Sequence, residues 1–560
     1  MRGAGPRGAL RRGLSAVRRA PLAISGAVRR FTEDPWRGRA ALGRAVPLIG
    51  PGGGSPDPAR AVDLAVARDD LDAAREALAL LPDTDARRPS CELAVSVLAG
   101  DVVPALSARP DAQDARSRRA RRTARRQARL LSRPLPERLA AHHDRPRRTG
   151  RAGDRPAILH VVTNSLPLTQ AGSTVRTQGV VAAQRATGWD ARVATRPGYP
   201  VLYGDLATED ICLVDGVPYH RLLPALMPSA EGVDDVYRRL LGGLADDVRP
   251  DVLHAASDHV NARAALEVGR ERGIPVAYEA RSFHEDTWLE RHGGEAARDS
   301  DTYRWLRDRH TEVMLAADAV TTLGEAMRAE IIARGVAPER VTIAPNAVDA
   351  VFLEPRTEDA RAVLGLPEAF WIGSVATLNP YEGLETLIDA AALLRRSGVD
   401  ARVLLVGAGP SADALRDRAS EANVPLVMPG RVPHREVRAY YDALDAFALP
   451  RTDTALNRRV TALKPLEAQA RGVAVVGSDL PAVAEVLAPG TPLAPPGDAS
   501  ALATLLEPLV DPGEARARGE AARAWIASCR TWAQVTEAYR SAYAALGVPA
   551  GVSASPLAEG

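Results

Sequence analysis

Between residues 157 and 494 the sequence alternates short apolar runs with longer stretches of helical periodicity, and it does so in two successive series. Such text reads as parallel sheets with crossover helices, because parallel neighbours cannot be joined by a tight turn. The first series predicts strands at Ala157 to Val162, Ala191 to Thr195, Val252 to Ala255, Pro275 to Glu279, Ala319 to Thr322 and Val341 to Ala344. Helices such as Ser173 to Ala186, Asn261 to Arg272, Tyr303 to Ala316 and Glu325 to Arg334 separate several of them. After Pro345-Asn346-Ala347-Val348-Asp349 the second series predicts strands at Trp371 to Ala376, Val403 to Val406, Pro425 to Val427, Ala446 to Leu449, Ala474 to Val476 and Pro492 to Leu493. The expected fold class is α/β, with two Rossmann-like doubly wound domains. Ligands of open parallel sheets bind beyond the carboxyl ends of the strands, so two such domains facing each other are expected to line a cleft.

The flanks divide by composition. Residues 1–56 read as a flexible basic N-terminus and 57–150 as a helical, Arg-rich extension of one or two helical hairpins. Residues 155–345 and 346–530 are the two α/β domains, 531–546 a C-terminal helix and 547–560 a disordered tail. No second copy of a 34-residue repeat is found, which argues against a solenoid. No apolar run reaches the ~18 residues of a membrane span, and Met1 to Arg30 lacks the pattern of a signal peptide, so a cytoplasmic protein is expected. Cys91, Cys212 and Cys529 are isolated, so neither a disulfide framework nor a zinc site is predicted. Between Arg116 and Arg151 stand 14 Arg against two acids, Glu137 and Asp144. This stretch reads either as a solvated face or as an attraction to an anionic membrane surface from the inner side of the cell membrane. Nucleic acid is not an expected partner, because the stretch carries no aromatic residue on which a base could stack.

Of the 72 basic residues in the chain, Lys464 is the single lysine. An Arg-, Ala-, Gly- and Pro-rich composition replaces lysine wherever the two cations are exchangeable. They are not exchangeable where a compact ammonium on a flexible stem must reach one oxygen. Lys464 opens a predicted helix containing Glu467. A helix start with a lysine beside it can hold a diphosphate, and a carboxylate one turn further in can accept from ribose hydroxyls.

Other chemistry-bearing residues fall at predicted strand ends. Gly172 and Ser173 precede a helix after the first strand, where backbone N–H groups can face phosphate, although Ser173 could equally be a simple N-cap. His254 lies near the end of its strand, and Glu279, Arg281, His284 and Glu285 follow the next. Such a set suits a hydroxyl-rich or phosphorylated ligand. It contains no metal-ligand spacing, so no metal is expected. In the second domain Val406-Gly407-Ala408-Gly409-Pro410 is a glycine-rich strand-to-helix turn, and Gly430-Arg431-Val432-Pro433 is read as opening a helix.

The order of these motifs over about Ala157 to Ala545 resembles the family 4 glycosyltransferases of GT-B fold. The carriers are Ala344 to Asp349, Tyr381-Glu382-Gly383-Leu384, Val406 to Pro410, Gly430 to His434, Lys464-Pro465-Leu466-Glu467-Ala468 and the Gly-Ser loop at 172 to 173. The loop Ser165-Leu166-Pro167-Leu168 is similar to that of bacterial enzymes of extracellular polysaccharide assembly. The resemblance implies retaining, metal-independent transfer from a nucleotide-sugar, with a UDP- or GDP-sugar expected and no bound cofactor, to a glycan, lipid-linked or other hydroxyl acceptor. It implies that Glu467 binds the donor ribose, that Gly430, Arg431 and Val432 border the nucleobase, and that Gly172 and Ser173 lie near the phosphates. Gly407, Gly409, Leu463, Arg458 and Arg459 complete the expected donor set. Lys464, Arg451 and His254 form the expected catalytic set, with His254, Glu279, Arg281, His284 and Glu285 positioning the acceptor.

Two departures from the family pattern stand out. Arg459 occupies the place, eight residues before Glu467, where a Glu is usual, and Glu382 stands where a Lys usually precedes the glycine, with Thr377 where an Arg is expected. Two other readings therefore remain open at this point, a non-catalytic sugar-nucleotide-binding scaffold and a sugar-nucleotide epimerase of the same fold.

Overall fold

The computed structural model describes residues 18–27, 57–107, 114–140, 155–229, 232–356, 359–434 and 436–548. The expected flexible N-terminus and tail lie outside these residues, apart from 18–27 and 547–548, as does the 141–151 part of the basic stretch. The described chain forms two compact units. The first holds its residues within 1–170, 187–320 and 543–560, and the second holds 171–186 with 321–542.

The first unit contains β1 (Ala157–Val162), β2 (Asp190–Thr195), β3 (Ile211–Val214), β4 (Val217–Arg221), β5 (Val252–Ala256) and β6 (Val276–Ala280), in the order β3-β4-β2-β1-β5-β6. β1 pairs in parallel with β2 and β5, β2 with β4, and β5 with β6. β5 and β6 are buried at every position, as strands covered on both faces must be. One pair departs from the expected all-parallel sheet. β3 and β4 are antiparallel, joined through Asp215 and Gly216 at φ 46° and 78°. Two consecutive left-handed residues make the tight turn that matches strand twist, and Asp-Gly is its usual sequence.

The Arg-rich extension is more finely divided than one or two hairpins. It contains helices at Pro58–Arg68, Leu71–Ala79, Arg88–Leu98, Val102–Ser107 and Ala115–Leu131. The first break lies at two aspartates. Asp69 takes a left-handed conformation at φ 65°, and the Asp70 carboxylate accepts from the Ala73 N–H as N-cap of the next helix. Alanine-rich text without Gly or Pro hides such a boundary. Small side chains form the two cores of this layer, Ala59, Val62, Leu71, Ala74 and Cys91 in one and Ala94, Val97, Val102, Ala120 and Ala124 in the other.

β7 (Ala319–Thr322) spans the unit boundary, and β8 (Val341–Ile343) belongs to the second unit. The second unit's own sheet comprises β9 (Phe370–Val375), β10 (Ala401–Val406), β11 (Leu426–Gly430), β12 (Ala446–Leu449), β13 (Ala474–Ser478) and β14 (Leu493–Ala494), ordered β11-β10-β9-β12-β13-β14. All its registered pairs are parallel. Successive side chains of a strand point to opposite faces. Accordingly Val403 and Leu405 enter the core with Leu387 and Ile388, whereas Leu404 and Val406 enter the one with Tyr441 and Leu466. Reversal of the strand order beside β9 creates the switch point at which loops diverge and a ligand can sit.

Two arginines lock this unit together. Arg471 and Asp442, both without exposed surface to speak of, pair through two hydrogen bonds of 2.8 Å, while Arg471 also donates to the carbonyls of Phe352, Glu354 and Pro355. Removing one partner of such a buried pair typically costs about 3–5 kcal/mol. Arg176, on the helix Gly172–Ala186, donates to the carbonyls of Ala344 and Pro345, to Asn346 Oδ1 and to Tyr539 Oη. Gly179 lets this helix approach the C-terminal helix Trp532–Ala544, since a Cβ there would stand 2.3 Å from the Trp532 ring.

Candidate functional site

The chain leaves β12 through Pro450-Arg451, makes the short helix Ala455–Arg459, and enters the helix Lys464–Ala470 with Pro465 in its first turn. A cation at a helix start opposes the macrodipole, so Lys464 needs compensation. Glu467, one turn on, supplies it. The Lys464 ammonium donates to both carboxylate oxygens, at 3.1 and 3.0 Å. The Glu467 carboxylate also accepts from Tyr441 Oη at 2.8 Å, and His434 Nε2 stands 3.7 Å away. Glu467 is 3% exposed, whereas the Lys464 side chain is 33% exposed. The carboxylate is thus held from inside the fold, and the ammonium that pairs with it belongs to a side chain a third exposed.

Burial alone would raise the Glu467 pKa, but Lys464 and His434 outweigh it and hold the carboxyl below its ordinary value. Tyr441 shifts the other way. Burial and the adjacent carboxylate raise its hydroxyl well above the usual range, so it stays a donor.

The loops at the carboxyl ends of the second unit's strands meet through their backbone. Gly407, at φ 148°, lies so close to the 376–378 segment that a Cβ would meet the Ala376 carbonyl at 1.8 Å, and a Cβ on Gly383 would meet the Pro450 carbonyl at 2.0 Å. A Cβ on Gly409 would stand 2.3 Å from the Leu378 carbonyl. The loops after β9, β10 and β12 are therefore packed main chain to main chain. Asn457 fastens them further by donating to the Tyr381 and Thr452 carbonyls at 2.7 and 2.9 Å. Gly430, at φ 82°, accepts from the Gly407 N–H at 2.9 Å. Arg431 after it is exposed and Val432 half-buried, but the segment does not open a helix as expected. The next helix begins only at Val437, after Pro433 has removed one N–H.

Gly172 and Ser173 are exposed at the start of their helix, and a Cβ on Gly172 would lie 3.5 Å from the Leu463 side chain. Two helix starts, at Gly172 and Lys464, therefore come together within the second unit. Ser173 is not the cap of its helix. Thr174 Oγ1 accepts from the Ala171 N–H and donates to the Ala171 carbonyl, leaving Ser173 exposed.

The expected cations divide. Arg451 pairs with Glu382 at 3.3 Å and donates to the Val460 carbonyl, so the acid that stands in place of the usual lysine is matched by an arginine. Arg458 pairs with Asp453 in bidentate fashion, and the Asp453 pKa is lowered by that hydrogen bonding. Arg459 meets Glu330 at 3.1 Å, and the other oxygen of Glu330 accepts from Arg334.

The expected acceptor residues lie in the first unit. His254 has no exposed surface. Its Nδ1 is 2.7 Å from Tyr543 Oη, its Nε2 is 3.5 Å from Glu279, and its ring is 4.7 Å from that of His160. An imidazole so enclosed acts through its neighbours rather than by touching substrate. Glu279 accepts from Arg281 at 2.5 Å, and Glu285, also fully buried, contacts His310 Nδ1 at 3.2 Å, whose Nε2 meets Tyr278 Oη at 2.8 Å. His284 alone of the set is exposed. Among the described residues no group of three or more His, Cys, Asp or Glu could hold a metal ion.

Residues 171–347 match the family described as Glycosyl transferase 4-like domain, and residues 368–511 match Glycosyl transferases group 1. The chain belongs to the family 4 glycosyltransferases. It is 29% identical over 204 residues to the putative colanic acid biosynthesis glycosyltransferase WcaL of Salmonella typhimurium, covering 35% of this chain and 48% of the relative. It is 31% identical over 227 residues to the GDP-mannose-dependent alpha-(1-6)-phosphatidylinositol monomannoside mannosyltransferase of Mycolicibacterium smegmatis, covering 39% and 59% respectively. The chain thus spans about half the length of the curated relatives it matches. Among solved structures, sucrose-phosphate synthase from Thermosynechococcus elongatus superposes with a TM-score of 0.56 at 19% identity, over 70% of this chain and 99% of that one. HepE of Anabaena in complex with UDP gives 0.53 at 16%, over 69% and 99%. These likenesses establish the GT-B fold of this family 4 glycosyltransferase.

Three residues of the site were not expected from sequence. Tyr441, 26 positions before Glu467, leaves no local signal. His434 lies inside a recognised motif, yet nothing marks its ring as facing the carboxylate, and Asn457 is a loop residue of ordinary composition. The depressed Glu467 value fixes the sign of a pH effect. Its contribution to stability is complete above the ordinary value of 4.5 and is lost as pH falls through the lower folded value. Glu467→Gln is expected to lower the unfolding free energy by about 1–3 kcal/mol at neutral pH, with the difference from the parent closing below about pH 4. Urea titrations of both proteins from pH 7 to 3 check this, and a gap that does not narrow contradicts it.

Proposed function

We propose that this family 4 glycosyltransferase moves a sugar from a nucleoside-diphosphate donor to a hydroxyl acceptor with retention of configuration, in cell-surface polysaccharide or glycoconjugate synthesis. The observation that carries the reading is the arrangement at the helix Lys464–Ala470. A buried, ionised Glu467 is paired with the ammonium of the part-exposed Lys464, and a second helix start at Gly172 lies alongside. In this reading Glu467 accepts from the donor ribose, Gly430 to Val432 border the base, and Lys464 with the N–H groups at Gly172 and Ser173 takes the diphosphate. UDP and GDP are the favoured bases. A UDP complex among the structural neighbours and a GDP-mannose-dependent relative support that choice.

Departure of the sugar leaves negative charge on the diphosphate. Fixed cations and helix-start amides stabilise that charge, each on the order of 3 kcal/mol if oxyanion donors are a guide. The acceptor hydroxyl gives its proton to the leaving phosphate oxygen as its own oxygen bonds to the anomeric carbon, so the step needs no strong protein base and no metal. His284, the exposed member of the set, meets the acceptor, while the buried Glu279, Arg281, Glu285 and His254 hold its surroundings in place. Arg451, Arg458 and Arg459 serve the donor loops through their carboxylate partners.

Lys464→Ala is expected to reduce turnover by about two or more orders of magnitude with the fold retained. The assay is product formation from UDP-, GDP- and dTDP-sugars with and without acceptor. Near-normal turnover removes the reading. Product without acceptor would identify an epimerase, and nucleotide binding without turnover in the parent would identify a scaffold. The basic stretch is assigned to an anionic membrane face, with the protein peripheral to the cytoplasmic side. Sedimentation with anionic vesicles that fails at low salt contradicts that assignment.

A further inference from the structure

Arg221 is the last residue of β4, and neither the donor residues nor the acceptor set described above uses it. In parallel register it stands opposite Thr195, the last residue of β2, which stands opposite Val162, the last of β1. It therefore sits at the carboxyl ends of the first unit's strands, where ligands of such sheets bind. Side chains alternate along a strand, so Arg221 shares a face with Tyr219. Its guanidinium lies 5.4 Å from the centre of the Tyr219 ring and 5.5 Å from that of Tyr199, in the loop after β2. Its Nη1 donates to Ser165 Oγ at 2.6 Å, in the loop after β1. Three strand ends thus converge on one cation.

Among the described residues no acid matches this cation. Arg221 is 7% exposed, yet no carboxylate pairs with it, and its Nε is enclosed without a hydrogen-bond partner. The acids at the same end of the sheet are already matched. Glu279 pairs with Arg281, Asp258 with Arg196 and Glu285 with His310. Asp210, whose carbonyl accepts from the Arg221 N–H, pairs through its carboxylate with Arg18 and Arg19. A charge taken out of water is ordinarily paired, because its desolvation is costly, and stacking on two tyrosines returns only part of that cost. Nor is Arg221 needed to pin the loop after β1. Tyr199 Oη already donates to the Ser165 carbonyl at 2.6 Å and lies 3.1 Å from Thr169 Oγ1. The remaining N–H groups of a guanidinium form a planar fork that fits a carboxylate or a phosphate.

The geometry points to Arg221 as the residue that binds an anionic group, a carboxylate or a phosphate, carried by the sugar acceptor. Tyr203, 64% exposed with its ring 5.4 Å from that of Tyr199, gives the same end of the sheet an open aromatic face for the apolar side of a sugar ring. The inference rests on the reading of the first unit as the acceptor side, and it names the chemistry of that acceptor as a negatively charged sugar. It does not depend on the donor residues.

The probes are glucuronate and glucose 6-phosphate, titrated calorimetrically into the full chain, with glucose and inorganic phosphate as separate arms. At least one anionic sugar is expected to bind a single site about tenfold or more tighter than glucose, and which one does so tells carboxylate from phosphate. Arg221→Gln is expected to weaken that binding by about tenfold or more with the circular dichroism spectrum retained, whereas Lys464→Ala leaves the binding unchanged. Should the glutamine variant not fold, Arg221→Met, which trades the charge for an apolar side chain, carries the test. Glucose binding as tightly as both anionic sugars overturns the inference, as does undiminished binding in a folded variant or no saturable binding to the parent. Binding lost in Lys464→Ala but kept in Arg221→Gln also overturns it, because the probe then sits with the donor residues. Inorganic phosphate binding as tightly as glucose 6-phosphate removes the sugar part. The titrations contain no donor, so failure of the transferase reading in the product assay and failure of the Arg221 site are separate results.

Discussion

A carboxylate buried to 3% exposure and still ionised is the constraint around which the second unit is arranged. An isolated charge in that place would be expelled or neutralised, because desolvation costs several kcal/mol. Glu467 remains because three elements bring it donors: its own helix brings Lys464, the helix before β12 brings Tyr441, and the segment after β11 brings His434. Those donors fix the orientation of the carboxylate. In the same unit the loops after β9, β10 and β12 meet closely, which glycine at 383, 407 and 409 permits.

The same logic accounts for the departures from family pattern. Glu382 in place of a cation would leave a buried acid unmatched, and Arg451 answers it from the facing loop. Arg459 in place of an acid would leave a cation, and Glu330 answers that. Each of these two charge changes is matched by an opposite charge within the second unit, as Lys464 is by Glu467.

The sheets were legible because short apolar runs alternating with crossover helices have few alternative folds, and the helix start at Lys464 because Pro465 and the motif around it mark one. Contacts between distant residues were not. The Arg451 to Glu382 pair spans 69 positions, and the Tyr543 to His254 pair 289. A histidine at a strand end reads alike whether it faces solvent or, as His254 does, has no exposed surface. The Asp215-Gly216 turn was legible in principle, being a strong hairpin sequence after the short apolar run Ile211–Val214. In the helical layer, alanine-rich text conceals the breaks between helices, since small residues give little contrast between faces.

Because Lys464 is the only lysine, an amine-specific reagent can report on it almost alone. The rate of its modification, followed by mass spectrometry of the Lys464 peptide, tests most directly whether this ammonium takes the donor diphosphate. Whichever of UDP, GDP or dTDP is found to bind is predicted to slow labelling of Lys464 by about tenfold or more, while the matching nucleoside leaves the rate unchanged. Labelling at an undiminished rate under a saturating, demonstrably bound nucleoside diphosphate would contradict the account.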